Sequence, residues 1–169
     1  MFGRFSTIIF FFVVFVSGAY GQNDRILLEV GNSRYEMGDY SGAIEAYTLA
    51  IEINPQMALA YNNRGMVRSS MGDENAAIKD FDNALEANPE FIPAYLNRGA
   101  SWYNLGNYYN AIEDYSKVIE MDPENHIAYY GRGLSHVEIR YFVGACNDLE
   151  KAIDLGYELA AGLFEKHCK

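Results

Sequence analysis

The sequence predicts an all-α fold of stacked helix-turn-helix repeats, an α-solenoid with a C-terminal capping helix. Three observations carry that prediction. Pro55, Pro89 and Pro123 stand 34 residues apart (89 − 55 = 34; 123 − 89 = 34). Gly31, Gly65, Gly99 and Gly133 keep the same step, as do Ala43, Ala77, Ala111 and Ala145, and Tyr47, Phe81, Tyr115 and Leu149. Between these markers the apolar residues fall at helical spacing. A fixed period in this range marks repeats that stack, each burying against its neighbour a face it cannot bury alone.

In chain order, residues 1–21 stand outside the repeat. "MFGRFSTIIFFFVVFVSGAYG" has one cation, Arg4, then an apolar run from Ile8 to Val16, then small residues. This is the pattern of a secretory signal peptide, with cleavage expected after Ala19 or Gly21. The protein is therefore expected to be exported, periplasmic or secreted, with no integral membrane span once the signal is removed. An uncleaved N-terminal membrane anchor is the alternative, and the short apolar run argues against it.

Four units follow, at 24–57, 58–91, 92–125 and 126–159, and each reads as two helices. In the third, apolar positions keep helical spacing from Ala94 to Leu105, Gly106-Asn107 breaks it, and a second helix runs from Tyr108 to Met121. Pro123 pushes Asp122 out of helical geometry and ends that helix. Gly38, Gly72 and Gly106 mark the turn inside each of the first three units. Gly99 and Ala111 are expected to face each other across the hairpin, with aromatic rings filling the space around them. The fourth unit diverges, with Arg140 in place of the turn glycine and Gly156-Tyr157 in place of the proline. Residues 158–169 read as a capping helix with Leu159, Leu163 and Phe164 facing inward.

Two structural pairings can be read from the registers. Arg64, Arg98 and Arg132 recur one repeat apart, and Asp80, Asp114 and Asp148 follow each of them by 16 residues. The first unit has Val30 and Ala46 instead, so the two partners are present or absent together. An ion pair across each later hairpin is expected, orienting the helices more than stabilising them. The two cysteines, Cys146 and Cys168, lie 11 residues either side of Tyr157 (157 − 146 = 11; 168 − 157 = 11). If the chain reverses there, they meet across an antiparallel helix pair, and an exported protein can oxidise them to a disulfide.

Charge and missing motifs exclude several functions. The formal net charge is −10; without residues 1–21 and Arg4 it becomes −11, from 12 cations and 23 anions. Such a chain repels phosphate backbones and anionic membrane surfaces, so no nucleic-acid partner is expected. His126, His136 and His167 are the only histidines, none at metal-ligand spacing to a second His or Cys. With neither a phosphate loop nor a nucleophile elbow, the expectation is no enzyme, no metal and no cofactor.

The run of an aromatic or Leu, Gly four residues on, a turn, Ala, an aromatic, Ala and a closing Pro resembles the tetratricopeptide repeat family, over essentially the whole chain after residue 21. The resemblance implies a scaffold whose first helices line a concave groove for a protein or peptide partner. The groove positions it implies include Asn32, Tyr35, Asn62, Asn63, Met66, Asn97, Tyr103, Asn104 and Tyr130, together with Leu28 and Ala100. A row of Asn side chains, each both donor and acceptor, suits the backbone of an extended peptide. One family subtype clamps the carboxylates of chaperone tails. Its two Asn positions match Asn32 and Asn63, whereas its three cationic positions fall on Leu28, Pro93 and Asn97 and none matches, so chaperone-tail binding is not expected. The alternative reading is a structural component of a larger envelope complex, docking through its outer or terminal faces; the oligomeric state is left open.

Overall fold

Helices and turns account for residues 23–169, the part of the chain that the computed structural model describes; no strand occurs among them. The N-terminal segment read as a signal peptide lies outside this range. α1 spans residues 23–36. There follow α2 (Tyr40–Ile53), α3 (Ala58–Ser70), α4 (Glu74–Ala87), α5 (Ile92–Asn104), α6 (Tyr108–Met121), α7 (His126–Glu138), α8 (Phe142–Asp154) and α9 (Ala160–Cys168). None of the described helices is long and apolar enough to cross a membrane.

The turns follow from local chemistry. Gly38, Gly72 and Gly106 adopt φ of 77, 84 and 78°. That left-handed step lets the next N–H, on Asp39, Asp73 and Asn107, reach back 2.9 Å to the carbonyls of Arg34, Arg68 and Trp102, closing each first helix. Arg140 takes the same conformation at φ 59° without being glycine, and Tyr141 N–H bonds the His136 carbonyl at 2.8 Å. Second helices end differently. Asn54, Asn88 and Asp122 leave helical geometry ahead of each proline. Their side-chain oxygens then accept the N–H two residues on at 3.1–3.2 Å. In the fourth unit the proline is missing, and Gly156, at φ 90°, turns the chain into α9.

Consecutive helices pack in hairpins, and the first helices also touch across units, α3 on α5 and α5 on α7. The first helices therefore form the inner wall of the stack. Tyr47, Phe81, Tyr115 and Leu149 are almost completely buried, one at the centre of each unit's apolar cluster. These residues explain the packing glycines. A Cβ added at Gly65 would stand 2.6 Å from the Phe81 ring, and one at Gly99 would stand 3.1 Å from the Tyr115 ring. The aromatic filling expected around Gly99 is supplied by the Tyr115 ring, and Ala111 is fully buried. Trp102 and Tyr95 pack against the third cluster and belong to the architecture.

Cys146 and Cys168 are joined in a disulfide, with their Cα atoms 5.6 Å apart. Leu163 and Phe164 of α9 pack on the Leu149–Ala152 cluster. Leu159 does not face inward as expected: it is 71 % exposed, because α9 begins one residue later and Ala160 is the residue that is buried.

Candidate peptide-binding groove

Asparagine gains nothing from a helix interior on propensity alone, so its use on the inner wall has to be explained by its bonds. Asn32 on α1 accepts at one amide oxygen from the Tyr47 hydroxyl, at 2.8 Å, and from the Asn63 amide, at 3.0 Å. The Asn63 oxygen accepts from Asn62 at 3.2 Å, and the Asn62 oxygen accepts from Asn97 at 2.9 Å. The result is one ladder, Asn97–Asn62–Asn63–Asn32, crossing three first helices and ending on a phenol from a second helix. Among the described residues, the Asn32 amide nitrogen and the Asn97 amide oxygen take no partner. Four side chains are thereby held in fixed orientations, with a donor end at α1 and an acceptor end at α5.

This changes the part each predicted groove residue plays. Asn62 is 3 % exposed and Leu28 7 %, so neither lies open on the groove; Asn62 also donates to the Met66 sulfur at 3.4 Å and serves as an internal link. Asn32, Asn63 and Asn97 are half-buried, while Met66 and Asn104 are exposed. Tyr35 stacks on Tyr40 and pairs with the Ser70 hydroxyl at 3.3 Å. Tyr103 donates to Glu138 at 3.3 Å, one repeat along, and Asn104 donates to Glu74 at 2.7 Å. Tyr130 is turned partly into the last core cluster, against Tyr157 at 4.9 Å between ring centres.

Two recesses open between first helices. One, of about 240 Å³, is lined by Asn32, Tyr35, Glu36, Tyr47, Asn63 and Met66. The other, of about 190 Å³, is lined by Tyr35, Met66, Ser69, Ser70, Phe81, Asn97 and Ala100. Burial pushes the Tyr47 hydroxyl above its ordinary range. Burial, and then Glu138, does the same for Tyr103. Both remain neutral donors at ordinary pH.

Behind the groove, the arginine register ties the repeats together. Arg64 meets Asp80 with two bonds at 3.0 and 2.7 Å, Arg98 meets Asp114 at 2.9 and 2.6 Å, and Arg132 meets Asp148 at 2.9 and 2.7 Å. Each guanidinium also reaches the previous unit's second helix: Arg64 to Thr48 at 3.0 Å, Arg98 to Asp82 at 2.6 Å and Arg132 to Ser116 at 3.1 Å. Each lies over a tyrosine of the same helix, Tyr61, Tyr95 or Tyr129. Burial works against the charge on Arg98, but Asp114 and Asp82 outweigh it and hold the guanidinium above its ordinary value. The third arm was legible, since Thr48, Asp82 and Ser116 are 34 apart and all carry oxygen. A further contact falls in one register: Arg68 joins Asp80 at 2.9 Å, and the His136 Nδ1 stands 3.0 Å from Asp148.

Comparison with known proteins agrees with this architecture. The tetratricopeptide repeat model matches residues 58–91 and 92–125, and a second model, described as TPR repeat, matches 31–72. No curated protein sequence matches the chain. Among solved structures, the first TPR of Spaghetti (RPAP3) bound to the HSP90 peptide SRMEEVD is 27% identical, at a TM-score of 0.69, covering 70% of this chain and 94% of that one. A crystal structure of MamA is 26% identical at a TM-score of 0.76, over 86% and 85% of the two chains. The Arabidopsis OM64 TPR domain is 25% identical at 0.67, over 69% and 97%. The family matches together run from 31 to 125, which is 95 of 169 residues (125 − 31 + 1 = 95), and the chain belongs to the tetratricopeptide repeat family.

Proposed function

We propose that the protein is an exported adaptor that captures a protein or peptide segment in its concave groove. The observation that carries this reading is the amide ladder. Asn32, Asn63 and Asn97 are oriented by bonds to one another and to Asn62, and they keep free donor and acceptor valences at the inner wall. Fixed amides lose little freedom when a peptide backbone binds them, and such preorganisation favours affinity. A family neighbour holding an HSP90 peptide supports the mode of binding. It does not carry over the ligand, because the cationic positions of the carboxylate clamp are Leu28, Pro93 and Asn97 here, and Leu28 is buried. The net charge favours a basic partner. We assign the protein no catalytic role and no cofactor.

The groove reading is tested by pull-down with an Asn63→Ala, Asn97→Ala double variant. Loss of the captured partner supports it, and undiminished capture removes it. Export is a separate part of the proposal, carried by the N-terminal pattern of cation, apolar run and small residues. Intact mass of the protein recovered from its native compartment is expected to begin near residue 20 or 22; a mass that includes Met1 favours the anchored alternative.

One observation favours the second reading, docking through a terminal face. Ile26 is 57 % exposed, whereas the residues in its register, Ala60, Ala94 and Ala128, are fully buried. Val30, one turn along the same helix, is exposed as well. Ile26→Asp abolishing partner capture, with the Asn63 and Asn97 variant unaffected, selects that face.

A further inference from the structure

The two recesses of the inner wall are the same place in successive repeats. Moving each lining residue of the first by 34 converts Asn32 to Met66, Tyr35 to Ser69, Glu36 to Ser70, Tyr47 to Phe81, Asn63 to Asn97 and Met66 to Ala100. The shared element is the ladder amide, Asn63 in one and Asn97 in the other. The chemistry differs. The first recess has a phenol hydroxyl in its floor, a second amide and one ionised group, Glu36, with no cation in its lining. In the second, Ser70 replaces the carboxylate and Phe81 replaces Tyr47; the hydroxyls of Tyr35, Ser69 and Ser70 and the Asn97 amide line it beside the Phe81 ring, Met66 and Ala100, and it holds no charged group. The row stops there. In the next repeat Gly131 stands in the register of Asn97, and the Tyr115 ring lies where its Cβ would be.

Resting on the groove reading, we infer that the groove takes a basic segment in polyproline II conformation, with a Lys or Arg side chain in the first recess and a medium-sized apolar side chain in the second, three residues apart. Charge complementarity assigns the first side chain, since Glu36 is the one charged group lining that recess and the molecule carries −10 overall. The Phe81 ring, Met66 and Ala100, in a small recess with no charged group in its lining, assign the second. Spacing assigns the conformation: α3 packs on α5 and bonds α1 through Asn63 and Asn32, and packed helices have axes ~8–10 Å apart. A polyproline II helix returns to the same face every three residues, after ~9 Å. A β-strand returns after two residues and roughly 6.6 Å, too short to fill both recesses. The extended backbone between the anchors has its free N–H and C=O groups beside the ladder amides.

Fluorescence anisotropy of the purified protein tests this with capped nine-residue peptides of proline and alanine. They carry one lysine and one leucine three places apart, prepared in both orders because either chain direction satisfies the spacing. The expected result is that one order binds, and that spacings of two or four, lysine to glutamate, or leucine to serine each weaken it about tenfold. Glu36→Gln, at an exposed site, is expected to weaken the lysine peptide about fivefold and to leave its norleucine counterpart unchanged. Ala100→Met, which narrows the second recess, is expected to weaken the leucine peptide and spare an alanine one. Equal binding at all spacings, or no response to Glu36→Gln, overturns the inference. If the Asn63 and Asn97 double variant still loses its partner in that case, the groove reading stands without it; if that variant too binds normally, both fall.

Discussion

Arg98 shows at single-residue scale how the repeats are held. Its guanidinium joins Asp114 of its own hairpin to Asp82 of the previous one, and Asp114 is almost completely buried. Burial already pushes the Asp114 carboxyl above the usual range against the pull of Arg98, so a carboxylate left there alone is costly. Arg98→Ala is therefore expected to lower stability by about 3 kcal/mol in denaturant unfolding, and Arg98→Ala with Asp114→Ala by less than the single change. Arg140 supplies the opposite case. It holds a left-handed φ of 59° where the other units have glycine, and Arg140→Gly is expected to raise stability by about 1 kcal/mol, read as a higher Tm. The buried tyrosines set the alkaline limit. Burial raises the hydroxyls of Tyr47, Tyr103 and Tyr115 above the ordinary value of 10.0. Because the folded state holds these protons more tightly than the unfolded chain, their contribution is complete below pH 10 and is lost as pH rises beyond it. A titration at the tyrosinate absorbance band is expected to show a late-ionising class that appears together with unfolding.

At the scale of the element, α9 is where local propensity and long-range chemistry divide the work. It is nine residues long with no side-chain N-cap, too short to be stable alone, and is held by Leu163, Phe164 and the Cys146–Cys168 bond. Reduction, or Cys146→Ser with Cys168→Ser, is expected to cost about 3 kcal/mol for a loop of this length. Amide exchange should quicken first in α9, and an unchanged Tm with and without reductant would contradict this. Helix ends in the first three units were legible because glycine, proline and Asx residues act within four residues of themselves. Leu163 and Phe164 were legible on the inward face of α9 as well, but its first turn was not, since Leu159 and Ala160 differ by one position, and only the observed start of the helix decides which is buried. At Gly99 periodicity placed the glycine, Ala111 and Tyr115 in the core, and the Tyr115 ring fills the glycine's space.

At the scale of the whole molecule, repetition made the fold readable and the site only partly so. Thirty-four-residue registers reveal every structural position several times over, and the arginine–aspartate ties follow from their joint absence in the first unit. The groove combines departures from the repeat, Glu36 against Ser70 and Tyr47 against Phe81, with one recurring position, Asn63 and Asn97, which gives way to Gly131 in the fourth unit. The asparagines could be placed on the inner wall, but the buried link at Asn62 and the anchor at Tyr47 appear only when the helices are brought together. Inner and outer faces of the stack also make the claim of groove capture directly measurable. A photo-reactive amino acid placed at Ala100, exposed on α5, or at Glu86, exposed on α4, reports which face the partner occupies. Groove capture predicts a covalent adduct with the partner from position 100 and none from position 86; an adduct from position 86 alone would contradict it.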